Sequence, residues 1–455
     1  MCPAAGFLFD KPLSHSYKTW PICRDVIWIC LKYRVLNINR AVAAAGAFAV
    51  GTAGLHGANV TGLTPQEISK WWIVSGSLRS FYDDNSFNQP DFLAEASFGM
   101  EVKPGVAFNL PGNRTLLSAS YDLTLNYFES RPNHKIDQTH FFDGRLNHKF
   151  SERYDIDFTE TFVMSDEPAV IDKNGPTPVF RRADDYSNIR NQFAVDVSGY
   201  LSPVQSLVVG YKNSYTDYES KLYSQSLDQV EHSFHLDSRW LSSEHTLLYL
   251  GYQIALADYF DPTLITFDDL EEIYPSIRNY RSHFVYVGGK QTLGRQLEAN
   301  WQVGVQYSDY YNSGTTAWSP FVDASATYTY ARESTIRLGT GISKYPVNVP
   351  IISSEVALDQ QVYNVGLSIS HRIAARLTGN ARLQYQHAIY NGGEPGVDGQ
   401  SEDSYTFNLG VDYKIRENLW ANMAYAYSTL TSGRVGAEFL NFSRNIIYLG
   451  VRASY

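Results

Sequence analysis

Few side chains in this sequence are set up to break bonds. Neither a His-Glu-x-x-His zinc pair nor a Gly-x-Ser-x-Gly nucleophile elbow occurs in it. The three cysteines, Cys2, Cys23 and Cys30, all precede Leu31. Thiolate nucleophiles and thiolate metal sites are therefore excluded from the rest of the chain. The 11 histidines are scattered, and His140, His148 and His235 have no nucleophile partner nearby in sequence. Lumen or aromatic-girdle positions are the expectation for them. Asp268-Asp269 and Glu271-Glu272 offer hard oxygen ligands, but their spacing is not that of an EF-hand, so a solvated acidic loop is expected there. Neither an enzyme nor a cofactor is expected.

What remains is charge held at particular positions. One set is acidic: Asp122, Asp143, Asp155, Asp157 and Asp196. The other is basic: Arg337, Arg372, Arg382, Lys414, Arg416 and Arg452. Each stands on the polar side of a stretch in which apolar and polar residues alternate. Residues 377–390 show the pattern well. Leu377, Gly379, Ala381, Leu383, Tyr385, His387 and Ile389 fall on one face, and Thr378, Asn380, Arg382, Gln384, Gln386 and Ala388 on the other. A period of two is that of a strand with one apolar and one polar face. Residues 404–416 and 297–307 repeat it. Strands of soluble sandwiches typically have about 5 to 6 residues. The stretches here approach or exceed the roughly 9 to 11 that a tilted strand needs to cross a bilayer.

The connections alternate in kind. Short turns are expected near 111–114, 151–153, 202–205, 242–245, 293–296, 331–334, 374–376 and 416–418. Longer polar loops lie near 83–91, 129–139, 165–188, 220–229, 261–279, 311–318, 347–358, 391–403 and 431–441. Eight turns and nine loops join 18 strands, with both termini on the short-turn side. The expected fold is all-β: a closed antiparallel transmembrane β-barrel with short periplasmic turns and longer extracellular loops. The loop at 165–188 is the longest, and it could fold inward to narrow a pore, with a surface loop as the safer reading.

Composition agrees. Tyr (33) and Phe (24) are abundant and Met (4) is scarce, as aromatic girdles would require. Mean hydropathy is −0.28, and past residue 60 no apolar run has the length of a spanning helix. The net charge of −10 argues against a nucleic-acid partner.

Residues 41–54 form an apolar run preceded by Lys32, Arg34 and Arg40 and followed by small residues suited to cleavage after Ala58, with Ala53 as the alternative. This is the pattern of a secretory signal. Residues 1–30 do not fit that scheme, and a misassigned start is expected there. The domain reading is leader and signal over 1–58, a short periplasmic segment over 59–70 with Thr64 as a helix N-cap, and a barrel over 71–455. In the last strand, Ile447, Leu449, Val451, Ala453 and Tyr455 share one face and end on an aromatic. Such a strand is similar to the signal read by the barrel-assembly machinery.

With that layout, residues 71–455 resemble the β-barrel porin 2 family of bacterial outer-membrane proteins. The local pieces are Ser80-Phe81-Tyr82-Asp83-Asp84-Asn85 after the first strand and Pro104-Gly105 in the second. The resemblance implies a barrel in the outer membrane, in contact with lipid, and supplies no catalytic residues. Some relatives sit among exopolysaccharide genes.

The function expected is passive or facilitated passage of small hydrophilic solutes. An acidic wall facing a basic wall would set up a transverse field favouring charged or dipolar solutes. The plainer reading is that these charges pair with cross-strand neighbours. The alternative function is a structural or export-associated barrel, for example in polysaccharide secretion. The oligomeric state is not legible in the sequence.

Overall fold

The computed structural model describes residues 70–166, 171–172, 175–176, 187–261, 264–266, 272–294, 296–347, 356–392, 397–433 and 440–455. The expected leader, signal and Thr64 cap lie outside these residues, as do Asp268, Asp269, Glu271 and most of 165–188.

Eighteen long strands form one sheet. They are β1 (Trp72–Asp83), β2 (Ser97–Pro111), β3 (Thr115–Phe128), β4 (Ile136–Lys149), β5 (Tyr154–Ser165) and β6 (Asn188–Ser202). Next come β7 (Gln205–Tyr218), β8 (Gln229–Ser243), β9 (Thr246–Tyr259), β10 (Tyr280–Leu293), β11 (Leu297–Tyr310) and β12 (Thr315–Ala331). The last are β13 (Ser334–Pro346), β14 (Asp359–Ala374), β15 (Leu377–Asn391), β16 (Ser401–Arg416), β17 (Leu419–Ser432) and β18 (Phe442–Ser454). Each pairs antiparallel with the next, and β1 pairs with β18 from Ser75↔Ser454 to Asp83↔Ile446, which closes the sheet. The strand number is that expected from the sequence, and so is the alternation of turns and loops except at 311–318, where a tight turn with Gly314 at positive φ replaces the expected loop and β12 already begins at Thr315. One helix, α1 (Lys221–Leu227), lies between β7 and β8, where the sequence was expected to form a plain loop.

Alternation decides which face meets lipid. On β2, Phe98, Met100, Val102, Val106, Phe108 and Leu110 point outward and are exposed, while Ser97, Glu101, Ala107 and Asn109 point inward and are buried. Pro104 has no N–H to donate, and the β2–β3 ladder skips Lys103 and Pro104. Its neighbour Gly105 leaves room for Asp122: a Cβ there would lie 2.3 Å from the Asp122 carboxylate.

Outward charges cluster at the extracellular strand ends. Asp217, Asp258, Arg281, Asp309 and Asp403 each stand within two positions of such an end. Lys344 also stands within two positions of such an end, but that end turns into the barrel. One residue departs from this rule among the described strands. Glu160 sits in the middle of β5 on the lipid face, where its carboxylate accepts a hydrogen bond from Asn191 Nδ2.

Candidate functional site: the barrel lumen

The register carries one face of the sheet around the barrel. Lys414 pairs with Trp420, Trp420 with Arg452, Arg452 with Ser77, and Ser77 with Lys103. By this tracing all five acidic and all six basic residues singled out in the sequence have lumen parity.

On the acidic side the neighbours are close. Lys103 Nζ lies 3.6 Å from Asp122, and Arg145 Nη2 donates to Asp157 at 2.9 Å. Thr161 Oγ1 donates to Asp143 at 3.1 Å, and Asp155 is paired across the sheet with Lys149. Asp157 and Asp196 stand directly opposite each other, and His235 Nε2 comes within 3.4 Å of Asp196. Gly210 permits that approach, since a Cβ there would meet the His235 ring at 2.0 Å.

On the basic side the register brings two arginines into one row. Arg337 pairs with Ser368, and Ser368 with Arg382, so two guanidinium side chains flank one hydroxyl on the same row. Arg372 bridges to Glu333 at 2.8 Å. The Arg452 guanidinium lies over the Trp420 ring, 4.9 Å from its centre. Lys414 is half-buried, and Arg416 is exposed at the periplasmic turn.

The extracellular half of the lumen is packed. Arg278, 2% exposed, is its hub on the β9–β15 side. Its Nη1 donates to the Ser226 carbonyl of α1 at 3.1 Å and its Nε to the Ala357 carbonyl at 3.0 Å. Around it, Leu358 packs on Ala257, Tyr280 and Tyr310, and α1 packs Tyr223 and Leu227 on Tyr218. A second hub closes the β18–β4 side. Arg131 donates to Asp137 at 2.6 Å and to the Ser86 carbonyl at 2.5 Å, with its guanidinium over the Phe128 ring. Arg444 is held by Asp83 and Asn88. Lower down, Asp237 accepts hydrogen bonds from Tyr286 Oη at 2.6 Å and Arg239 Nη2 at 2.7 Å.

Outside α1 there are the Asx contacts of the first loop. Asp84 accepts from the Asn445 backbone N–H and from Asn445 Nδ2, each at 2.7 Å, so the Asp-Asp-Asn segment ties the first loop to the last strand. The outward histidines sit against hydroxyls: His140 Nδ1 is 2.7 Å from Tyr121 Oη, and His148 Nδ1 is 2.7 Å from Thr115 Oγ1. Among the described residues no group of His, Cys, Asp and Glu is placed to hold a metal ion.

Sequence reasoning missed both arginine hubs, because each joins loops far apart in the chain. It also missed α1, although Tyr223 and Leu227 stand four apart, the spacing of one helical face. In the final strand and at its end, Ile447, Leu449, Val451, Ala453 and Tyr455 are all exposed on the outer face.

Solved structures similar to this chain include Pseudomonas aeruginosa OpdK with vanillate. It is 12% identical, with 84% of this chain and 99% of that one covered, at a TM-score of 0.42. Acinetobacter baumannii OccAB3 is 14% identical, with 84% and 99% covered, at a TM-score of 0.40. The siderophore receptor PirA from Acinetobacter baumannii is 9% identical, with 84% and 80% covered, at a TM-score of 0.41. No curated protein matches the chain. Residues 71–359, including the Ser80–Asn85 segment, lie outside the family match, and it is the last strands, residues 360–455, that match the family described as "Putative beta-barrel porin 2".

Proposed function

We propose that this protein is a pore of the bacterial outer membrane for small hydrophilic solutes, with the lumen charges biasing the choice. The observation that carries this is the change of exposure along the lumen face of β16. On β16, Glu402 and Ser404 are buried, Thr406 is half-buried and Asn408 is exposed, so water reaches the wall from the periplasmic side. Barrels of 16 to 18 strands generally enclose an aqueous channel. The family match over residues 360–455 supports the same reading.

The row Arg337, Ser368 and Arg382 brings two guanidinium side chains to one stretch of the lumen face. Conductance of the purified protein in a planar bilayer tests the pore, and a sealed lumen under all voltages would discard it. Ion selectivity of an Arg372→Ala plus Arg382→Ala protein tests the charge bias, which an unchanged reversal potential would remove.

A second reading is an export-associated barrel that a partner opens. The packed extracellular half around Arg278 favours it.

Export and assembly complete the proposal. Residues 41–58 act as the signal, checked by N-terminal sequencing of the mature protein. The outward row Ile447 to Tyr455 serves the barrel-assembly machinery. Tyr455→Ala then lowers the amount of assembled barrel while the stability of the barrel that does form stays near wild type.

A further inference from the structure

The wall has one seam where ladder pairing stops early. β12 and β13 pair only from Ala331↔Ser334 to Val322↔Ile342. β12 nevertheless continues to Thr315, paired with β11 up to Tyr310↔Thr315. β13 continues to Pro346, paired with β14 up to Pro346↔Asp359. Thus Thr315–Phe321 presents an edge with no ladder to β13.

The side chains show where the end of β13 has gone. Gln306, Tyr310 and Ser319 lie on the lumen face of β11 and β12. Lys344, Asp359 and Gln361 carry the outward parity of β13 and β14. These two faces touch. The Lys344 backbone N–H donates to Gln306 Oε1 at 3.3 Å, and Ser319 Oγ donates to Gln361 Oε1 at 2.6 Å. Tyr310 Oη donates to Asp359, which also takes Lys344 Nζ at 2.7 Å. The ends of β13 and β14 therefore lap behind β11 and β12, inside the barrel, as one layer over another.

A lap joint differs from a ladder in its chemistry. It replaces backbone hydrogen bonds with a buried ion pair and a few side-chain contacts. It also leaves a polar atom without a partner: Gln361 Nε2 is buried and unbonded. The free edge of β12 offers the same strand ends a continuous ladder instead. Continuing the register would set Phe321 opposite Ser343, Pro320 opposite Lys344, and Trp318 opposite Pro346. Pro320 suits an edge that works unpaired, since proline is confined to edges and bulges. It also withholds one N–H from the zipped ladder, which keeps that state from dominating.

We infer that this seam is a gate. In the lapped state the ends of β13 and β14 fill the extracellular lumen. In the zipped state they join the edge of β12, complete the wall and widen the passage. The buried Lys344–Asp359 pair is the latch of the lapped state.

This inference rests on the pore reading, and a cysteine pair separates the two. Trp318 projects to the outside of β12, whereas the end of β13 lies on its inside, so a Trp318→Cys plus Pro346→Cys protein cross-links only when the ladder zips. The chain holds no cysteine after Cys30 to compete. The expected result is an oxidant-dependent disulfide, read on a gel without any current, together with a rise in single-channel conductance that reductant reverses. Absence of the disulfide in a folded barrel, or a disulfide that leaves the conductance of a conducting barrel unchanged, overturns the gate. A protein that cross-links but never conducts, like its parent, overturns the pore reading instead. Should the double variant fail to fold, Lys344→Ala replaces it. Loss of the latch raises the open probability, and an unaltered open probability overturns the gate.

Discussion

Asp83 and Arg444 stand 361 positions apart in the chain and meet where the first strand closes on the last. Arg444 Nη2 donates to Asp83 Oδ2 at 2.6 Å, and its Nε lies 3.1 Å from both carboxylate oxygens. The pair is buried at the extracellular end of the β1–β18 seam. Closure thus depends on a charge pair as well as on the ladder. Removing one member of a buried pair typically costs about 3–5 kcal/mol, because the other charge is left stranded. Asp83→Asn is expected to destabilise the barrel by about that amount in urea unfolding from vesicles. Asp83→Asn combined with Arg444→Gln should cost less than the two single changes together. Simple additivity would show that the pair does not act as a unit.

Arg278 holds α1 and Ala357 through two carbonyls. Arg278→Met keeps the bulk and removes the donors. Each buried carbonyl left without a donor costs about 1–3 kcal/mol. The expected outcome is faster proteolysis within residues 219–228 and a larger conductance, with the strands themselves intact by circular dichroism. Unchanged proteolysis and conductance together would rule out a role for Arg278 in packing the lumen.

Glu160 is the lipid-facing carboxylate in mid-strand, six positions from Tyr154 and five from Ser165. Charges on the lipid face destabilise barrels most at the bilayer midplane, with acidic residues costing less than basic ones. Glu160→Leu is expected to stabilise the barrel by about 1 kcal/mol in vesicle refolding. A loss of stability instead would mean that the hydrogen bond from Asn191 outweighs the cost of holding the carboxylate on the lipid face.

Asp228 follows α1 and accepts the Tyr218 backbone N–H at 2.8 Å. Burial, with Asp217 close by, pushes its carboxyl up to about 8. The folded state therefore favours the protonated form. Its contribution to stability is complete below the ordinary aspartate value of about 4 and is lost as pH rises through about 8. The midpoint of urea unfolding should fall between pH 5 and pH 9 more steeply in the wild type than in Asp228→Asn. Parallel profiles would refute this.

The sequence by itself determined the wall. A period of two, kept over stretches long enough to cross a bilayer, is a local property that each strand states independently. Turn residues then number the strands. Parity alone also turned Asp122, Arg382 and Arg452 to the lumen and Ile447 and Leu449 to the lipid, because successive side chains of a strand point to opposite faces. Only the tertiary structure decided what fills the barrel. Arg278 reaches Ser226 and Ala357, and Asp83 reaches Arg444, across separations that carry no periodic signal. Lys344 shows the limit most clearly. Parity assigns it to the outer face, yet its strand end leaves the wall, and its ammonium is buried against Asp359 inside the barrel. Alternation fixes a side chain relative to its own strand, and only the pairing of that strand with its neighbours fixes the strand relative to the wall.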